Sequence, residues 1–270
     1  MLTCKRPVKE VALRLALATA ALAIASPAAA QSNQWNGRGF ITISGGIQAL
    51  TSEFSNEAVF TSFGGVYSET VAGSAAQEPS SFQADYRFQT APLFDMSGGL
   101  RVWRNVGVGL GVSRFGHQSE ASVSAVIPHP LFFSRDRSIN GMSTPLARSE
   151  IAVHLQALAV FPAGRSLTVT VFGGPTFFSV SQRLVDNVLF EHSYPFDTAT
   201  FSGTGTTPES SSKSGLHAGA DVAYYFTDAI GVGWLVRFSR ATVELPSAGD
   251  GTVSLQAGGV HTAGGLRVRF

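Results

Sequence analysis

Apolar and polar residues alternate with period two in eight stretches of this chain, the pattern of extended strands with two unlike faces. In the first, Gly39 to Leu50, Ile41, Ile43 and Ile47 share one face and Thr42, Ser44 and Gln48 the other. The second, Ala91 to Trp103, sets Phe94, Met96, Leu100 and Val102 against Asp95, Ser97 and Arg101. The third, Val106 to Ser113, alternates Val106, Val108, Leu110 and Val112 with Gly107, Gly109 and Gly111. In the fourth, Glu150 to Phe161, Ile151, Val153, Leu155, Ala157 and Phe161 oppose Glu150, His154 and Gln156. The fifth, Leu167 to Val180, is apolar on both faces around Gly173-Gly174-Pro175, where a kink is expected. The sixth, Leu216 to Phe226, places Leu216, Val222, Tyr224 and Phe226 opposite His217, Asp221 and Tyr225. The seventh, Ile230 to Phe238, places Val232, Trp234, Val236 and Phe238 opposite Leu235, Arg237 and Ser239. The eighth ends the chain, with Gly264, Leu266, Val268 and Phe270 alternating with Gly265, Arg267 and Arg269.

The connections alternate in length. Turns at Arg104-Asn105, at Pro162 to Arg165 and at Thr227-Asp228 are short, whereas 51–90, 114–149 and 187–215 are long; the last connection, Ser247 to Gly251, is again short. Residues 81–90 and 114–126 carry some alternation of their own, as if strands two and three ran on. No apolar run after residue 30 approaches the roughly 18 residues of a membrane helix. Strands of about 9–11 residues joined in this way predict an eight-stranded antiparallel up-and-down barrel, with short periplasmic turns and long extracellular loops.

Cost then assigns the faces. An arginine on the lipid face near the midplane costs roughly 2–4 kcal/mol. Asp95, Arg101, Glu150, Asp221, Arg237, Arg267 and Arg269 are therefore expected inside, as a lumen charge network shared with His154, His217, His261 and Gln156. Eight strands enclose a space that side chains just fill, so the expected interior is plugged.

The other end of the chain supplies the route. Lys5, Arg6 and Lys9 precede the apolar run Leu15 to Ala25, and Ala28 and Ala30 fit cleavage before Gln31. Residues 1–30 read as a signal peptide and 31–270 as one barrel domain. The lone Cys4 leaves with the peptide, so no disulfide framework is expected. Cleavage removes four of 19 basic and one of 18 acidic side chains, leaving a net charge near −2. That balance argues against nucleic acid as a partner. Lys213 is the one lysine among the remaining bases. Arginine stays ionised and offers a planar fork, which suits paired charges in a confined space.

Candidate chemistry is sparse. Gly107-Val-Gly109-Leu-Gly111 lacks the third glycine of a dinucleotide loop, and Lys213 follows Ser212 without the Gly-Lys-Ser/Thr order of a phosphate loop. Gly111-Val-Ser113 runs on to Arg114 without completing a nucleophile elbow. Histidines 117, 129, 154, 192, 217 and 261 have no metal-ligand spacing. No catalytic, cofactor or metal residue is assigned. Trp103, Phe161, Tyr224, Phe226 and Phe270 cluster at strand ends near the short turns, as in an interfacial girdle. The connections mix Ser, Thr and Gly with aromatics such as Phe54, Phe60, Phe63 and Tyr67, and could meet an extracellular partner or act as spacers.

The alternating ending Gly264, Leu266, Val268, Phe270, together with the strand plan, resembles the small OmpA/OmpX-like outer membrane β-barrels. The resemblance implies an integral protein of the Gram-negative outer membrane, surrounded by its lipid, with a terminal strand read by the barrel assembly machinery. It also implies a structural or surface-interaction role. The peptidoglycan-binding domain of longer OmpA relatives is not expected, since the chain stops at Phe270. Two alternatives stay open: a narrow channel for small or apolar solutes, similar to OmpW, and a lipid A-modifying enzyme. For the second, His117, Ser119 and Glu120 lie near a strand end, but the His-x-Ser-Asn pattern of lipid A deacylases is missing and alternation points His117 and Ser119 inward.

Overall fold

A computed structural model describes residues 38–49, 52–60, 80–132, 134–247 and 251–270. The expected signal peptide lies outside them, as do Phe63 and Tyr67. The described residues form twelve antiparallel strands: β1 (Gly39–Ala49), β2 (Ser52–Phe60), β3 (Ser80–Phe88), β4 (Ala91–Trp103), β5 (Val106–Ser119), β6 (Ala121–Pro128), β7 (Asp136–Met142), β8 (Leu146–Ala163), β9 (Leu167–His192), β10 (Ala199–Tyr225), β11 (Ile230–Pro246) and β12 (Thr252–Arg269). Eight of them close a barrel in the order β1-β12-β11-β10-β9-β8-β5-β4. Closure runs through β1, which pairs Phe40 with Arg269 on one side and Ser44 with Asp95 on the other.

These eight contain the eight alternating stretches, and the short turns fall at 104–105, 164–166 and 226–229. The long connections, by contrast, carry strands of their own among the described residues. Residues 51–90 contribute β2 and β3, residues 114–149 contribute the end of β5 with β6 and β7, and 187–215 continue β9 and β10. The strands β2-β3-β6-β7 form a second sheet in that order. Thus 81–88 and 121–128 are separate strands rather than extensions of barrel strands. The ribbon β9–β10 carries on past the barrel as far as the His192–Ala199 pair, with a register shift near Gly205/Thr206.

What the second sheet covers explains why it forms. Its inward residues Phe82, Ala84, Tyr86, Phe88, Val123 and Ile127 pack against Val180, Leu184, Val185, Val188, Val243 and Leu255 of the extended barrel strands. The result is an apolar-cored dome at one end of the barrel. Polar side chains fasten its seam: Asn56 Nδ2 donates to Val185 O at 3.1 Å, and Val185 N donates to the Tyr86 hydroxyl at 2.8 Å. Ser247 Oγ also hydrogen-bonds Asn56 Oδ1. Burial pushes the Tyr86 phenol up to about 12, so it remains a neutral acceptor there.

The expected kink in β9 takes the form of a gap in its ladder with β8. Pairing passes from His154–Thr176 to Ala157–Gly173, skipping the residues opposite Gly174-Pro175. A Cβ on Gly174 would lie 2.1 Å from Leu155 O, so no larger residue fits this approach. Proline adds to the gap by lacking an N–H for the ladder.

Candidate functional site

Alternation on twisted strands sends every second side chain of the ring into the lumen, and there the charges meet in layers. Nearest the short turns, Arg269 lays its guanidinium over Tyr225 at 3.9 Å and donates to Asp228 O at 2.6 Å. One inward position further along β12, Arg267 grips Asp221 through Nε at 3.0 and 3.1 Å and Nη2 at 2.5 Å, and also reaches Ser44 Oγ at 2.8 Å. An apolar slab of Leu158, Phe172, Leu235 and Ala263 follows, with Phe40 against it. A cavity of about 30 Å³ lies here, lined by Thr42, Ser97, Gln156, Asp221 and Arg267 among others. It has room for roughly one or two waters.

The next layer is the most enclosed. Asp95 of β4 and Arg237 of β11 meet across the lumen at 2.5 Å, both with no solvent exposure. Arg237 also stands over the Phe172 ring at 5.4 Å. Beside this pair runs a chain of hydrogen-bonding side chains: Ser113 Oγ to His154 Nε2 at 3.0 Å, His154 Nδ1 to Thr176 Oγ1 at 2.9 Å, and Thr176 Oγ1 to His217 Nδ1 at 2.8 Å. His261 Nε2 lies 3.3 Å from Ser239 Oγ.

Under the dome, Glu150 is held by three residues. Arg148 donates through Nε at 2.8 Å and Nη2 at 2.5 Å, Gln48 Nε2 approaches at 3.4 Å, and the backbone N–H of Gly258 donates at 3.1 Å. Gly258 has φ +84°, a left-handed conformation that glycine adopts freely, and in it the N–H is turned onto the carboxylate. Arg148 covers the Phe88 ring at 5.0 Å, so this layer is also the floor of the dome.

Of the charges expected in the lumen, Asp95, Glu150, Asp221, Arg237, Arg267 and Arg269 are buried or nearly so, and all but Arg269 take part in the three ion pairs just described. Arg101 lies furthest toward the short turns. It sits half-buried at the short-turn rim, where β4 bulges between Arg101 and Trp103 and its N–H donates to Arg38 O at 2.8 Å. Arg148 was missed because its stretch read as a loop. Its signal was present, since Leu146, Arg148 and Glu150 fall on one face of a strand.

The outer wall is the reverse of the interior. Ile43, Met96, Leu110, Leu155, Val171, Val222, Trp234 and Leu266 all face out and are exposed, one or more from each of the eight strands. The belt has a sharp upper edge: Val112 gives way to Arg114, Phe177 to Ser179, Leu216 to Ser214 and Phe238 to Arg240 at successive outward positions. Its lower edge carries Trp103, Phe161, Tyr224, Phe226 and Phe270, all exposed. On β11 the apolar outward positions run from Ile230 to Phe238. Nine residues rise about 27 Å along a strand, or about 20 Å along the axis at a tilt near 40°.

The groups weighed for chemistry have ordinary occupations. His117 is half-buried with its ring edge to Phe88 at 6.0 Å, and burial with Arg148 nearby holds its imidazole below the usual value. Ser119 Oγ donates to Arg87 O at 2.7 Å. Among the described residues no group of three or more His, Cys, Asp or Glu side chains is arranged to hold a metal.

No family model matches this chain, and no curated protein matches its sequence. Solved structures similar to it include the outer membrane protein OprG from Pseudomonas aeruginosa, at 11% identity over 87% of this chain and 97% of that one, with a TM-score of 0.45. Neisserial surface protein A (NspA) is similar at 12% identity over 88% and 100% of the two chains, TM-score 0.40. The outer membrane protease OmpT from Escherichia coli is similar at 10% identity over 89% and 99%, TM-score 0.46.

Proposed function

We propose that this chain is an integral outer membrane β-barrel, exported through a cleaved signal peptide and inserted by the barrel assembly machinery. Its role is to seal its own lumen and to present a folded dome for surface interaction, without a catalytic step. The observation that carries the reading is the uncharged apolar belt around all eight strands, bounded by polar outward positions above and aromatics below. Exposed apolar area of this extent is unsustainable in water, and its height suits a lipid hydrocarbon layer. Inside the ring the polarity is inverted, which is the arrangement lipid outside requires.

The belt makes a direct test. Trp234→Arg places a charge at its centre and is expected to cost about 2–4 kcal/mol of folding free energy in lipid vesicles. Thr242→Arg, eight residues up the same face and beyond the belt, should be close to neutral. Equal urea midpoints for the two variants would remove the lipid-facing assignment.

The ionic layers and the apolar slab support a closed lumen over the channel alternative. Refolded protein in a planar bilayer is therefore expected to give no steady conductance. Reproducible single-channel steps would replace the sealed wall with a narrow pore.

A further inference from the structure

Charge at the short-turn end of the barrel is one-sided. Among the described residues there, Arg38, Arg101, Arg104, Arg165 and Arg269 stand against a single acidic side chain, Asp228. The five belong to one rim: Arg101 N donates to Arg38 O at 2.8 Å, and the Arg269 guanidinium reaches Asp228 O at 2.6 Å and Arg165 O at 3.5 Å. Arg269 is buried and Arg101 half-buried, but Arg38, Arg104 and Arg165 are exposed. The rim also lies directly beneath the apolar belt. Trp103, 65% exposed, ends that belt on β4, and the Arg104 guanidinium stands 5.0 Å from its ring centroid. A tryptophan at the apolar edge with an arginine on it places positive charge at headgroup depth.

We infer that this rim is a binding surface for anionic glycerophospholipid headgroups in the membrane leaflet that borders the short turns, with Arg38, Arg104 and Arg165 as its contacts. The inference rests on the membrane-spanning reading above. Exposed cations in a single-sign cluster attract an anionic surface, and each one near that surface adds measurably to the attraction. Arginine also forks onto phosphate oxygens. The aromatic edge sets the depth of this rim, and Trp103 holds the Arg104 guanidinium at it, so the contact is made with lipid rather than with free phosphate in solution.

The test uses tryptophan as a depth-resolved reporter. The chain has three tryptophans, Trp35, Trp103 and Trp234. Trp35→Phe/Trp234→Phe leaves Trp103 at the rim, and Trp35→Phe/Trp103→Phe leaves Trp234 in the middle of the belt. Each is refolded into symmetric vesicles of phosphatidylcholine and phosphatidylglycerol in which one or the other lipid is brominated on its acyl chains. At Trp103, brominated phosphatidylglycerol is expected to associate about fivefold more strongly than brominated phosphatidylcholine, with the ratio falling toward one in high salt. Trp234 should be quenched by both with little preference.

The triple change Arg38→Ala/Arg104→Asn/Arg165→Ala is expected to abolish the preference at Trp103. Asparagine is used at 104 because that residue has φ +46°. The lysine triple variant should keep the preference, which separates charge from a folding defect. A ratio of one at Trp103 with Trp234 still quenched overturns the headgroup surface and leaves the barrel in lipid. Absence of quenching at Trp234 overturns both readings.

Discussion

Asp95→Ala is expected to lower the unfolding free energy of the refolded protein by about 3–5 kcal/mol, because it strands Arg237 in a place without water. Both partners have zero exposure, and Arg237 faces the Phe172 ring rather than a second carboxylate. The effect is the penalty of an uncompensated charge, so it should not track the worth of the pair itself. Replacing both residues with apolar ones of similar size, Asp95→Leu/Arg237→Met, is expected to lose less than either single change. Asp221→Ala should rank below Asp95→Ala, since the Asp221 side chain is 13% exposed and its partner can be partly rehydrated. Urea midpoints measured in the same lipid or detergent give the order. An unchanged midpoint for Asp95→Ala would show that the ionic layer bears no strain when broken.

Phe88→Ala should act on the dome and spare the wall. Phe88 is 1% exposed, stacks with Phe54 at 5.9 Å and carries Arg148 on its face at 5.0 Å. Truncating a buried phenylalanine costs about 3–5 kcal/mol. The second sheet joins the barrel strands by side-chain packing and a few polar clasps rather than by a shared ladder, so the loss is expected to open that sheet locally. Limited chymotrypsin digestion should then cut within β2, β3, β6 or β7 while the eight barrel strands stay protected. Protection of all twelve strands at the wild-type level would mean that dome and barrel unfold as one unit.

The barrel was legible because lipid and lumen impose opposite demands on adjacent residues. Where that contrast holds, as in Val236 beside Arg237 or Leu266 beside Arg267, two residues are enough to assign a face. It fails in the dome, whose inner face is apolar and whose outer face is wet, with shorter strands and smaller residues such as Ala84, Ala121 and Ala125. It fails again in 199–215, where serine, threonine and glycine occupy both faces of β10 and the strand is specified by its backbone ladder to β9. Single-sequence periodicity cannot register a partner's backbone. Arg148 was lost for a related reason: a strand boundary drawn at Glu150 cut off a residue whose pairing depends on being two positions earlier. The layers of the lumen could not be read at all, since Asp95 meets Arg237 from strands 142 residues apart in sequence.

The β9–β10 ribbon gives the molecule reach. From Ser179, the first polar outward position above the belt, to His192 at its far end, β9 runs 14 residues paired with β10 across two register shifts. That is about 45 Å of hydrogen-bonded chain measured along the strand. There Arg137 of β7 ties His192 and Phe196 O at 3.2 and 3.1 Å, so the free end of the ribbon is moored to the second sheet. On a barrel seated in a bilayer, this moored end carries the exposed ring of Tyr194 beyond the lipid surface, where an approaching molecule can meet it.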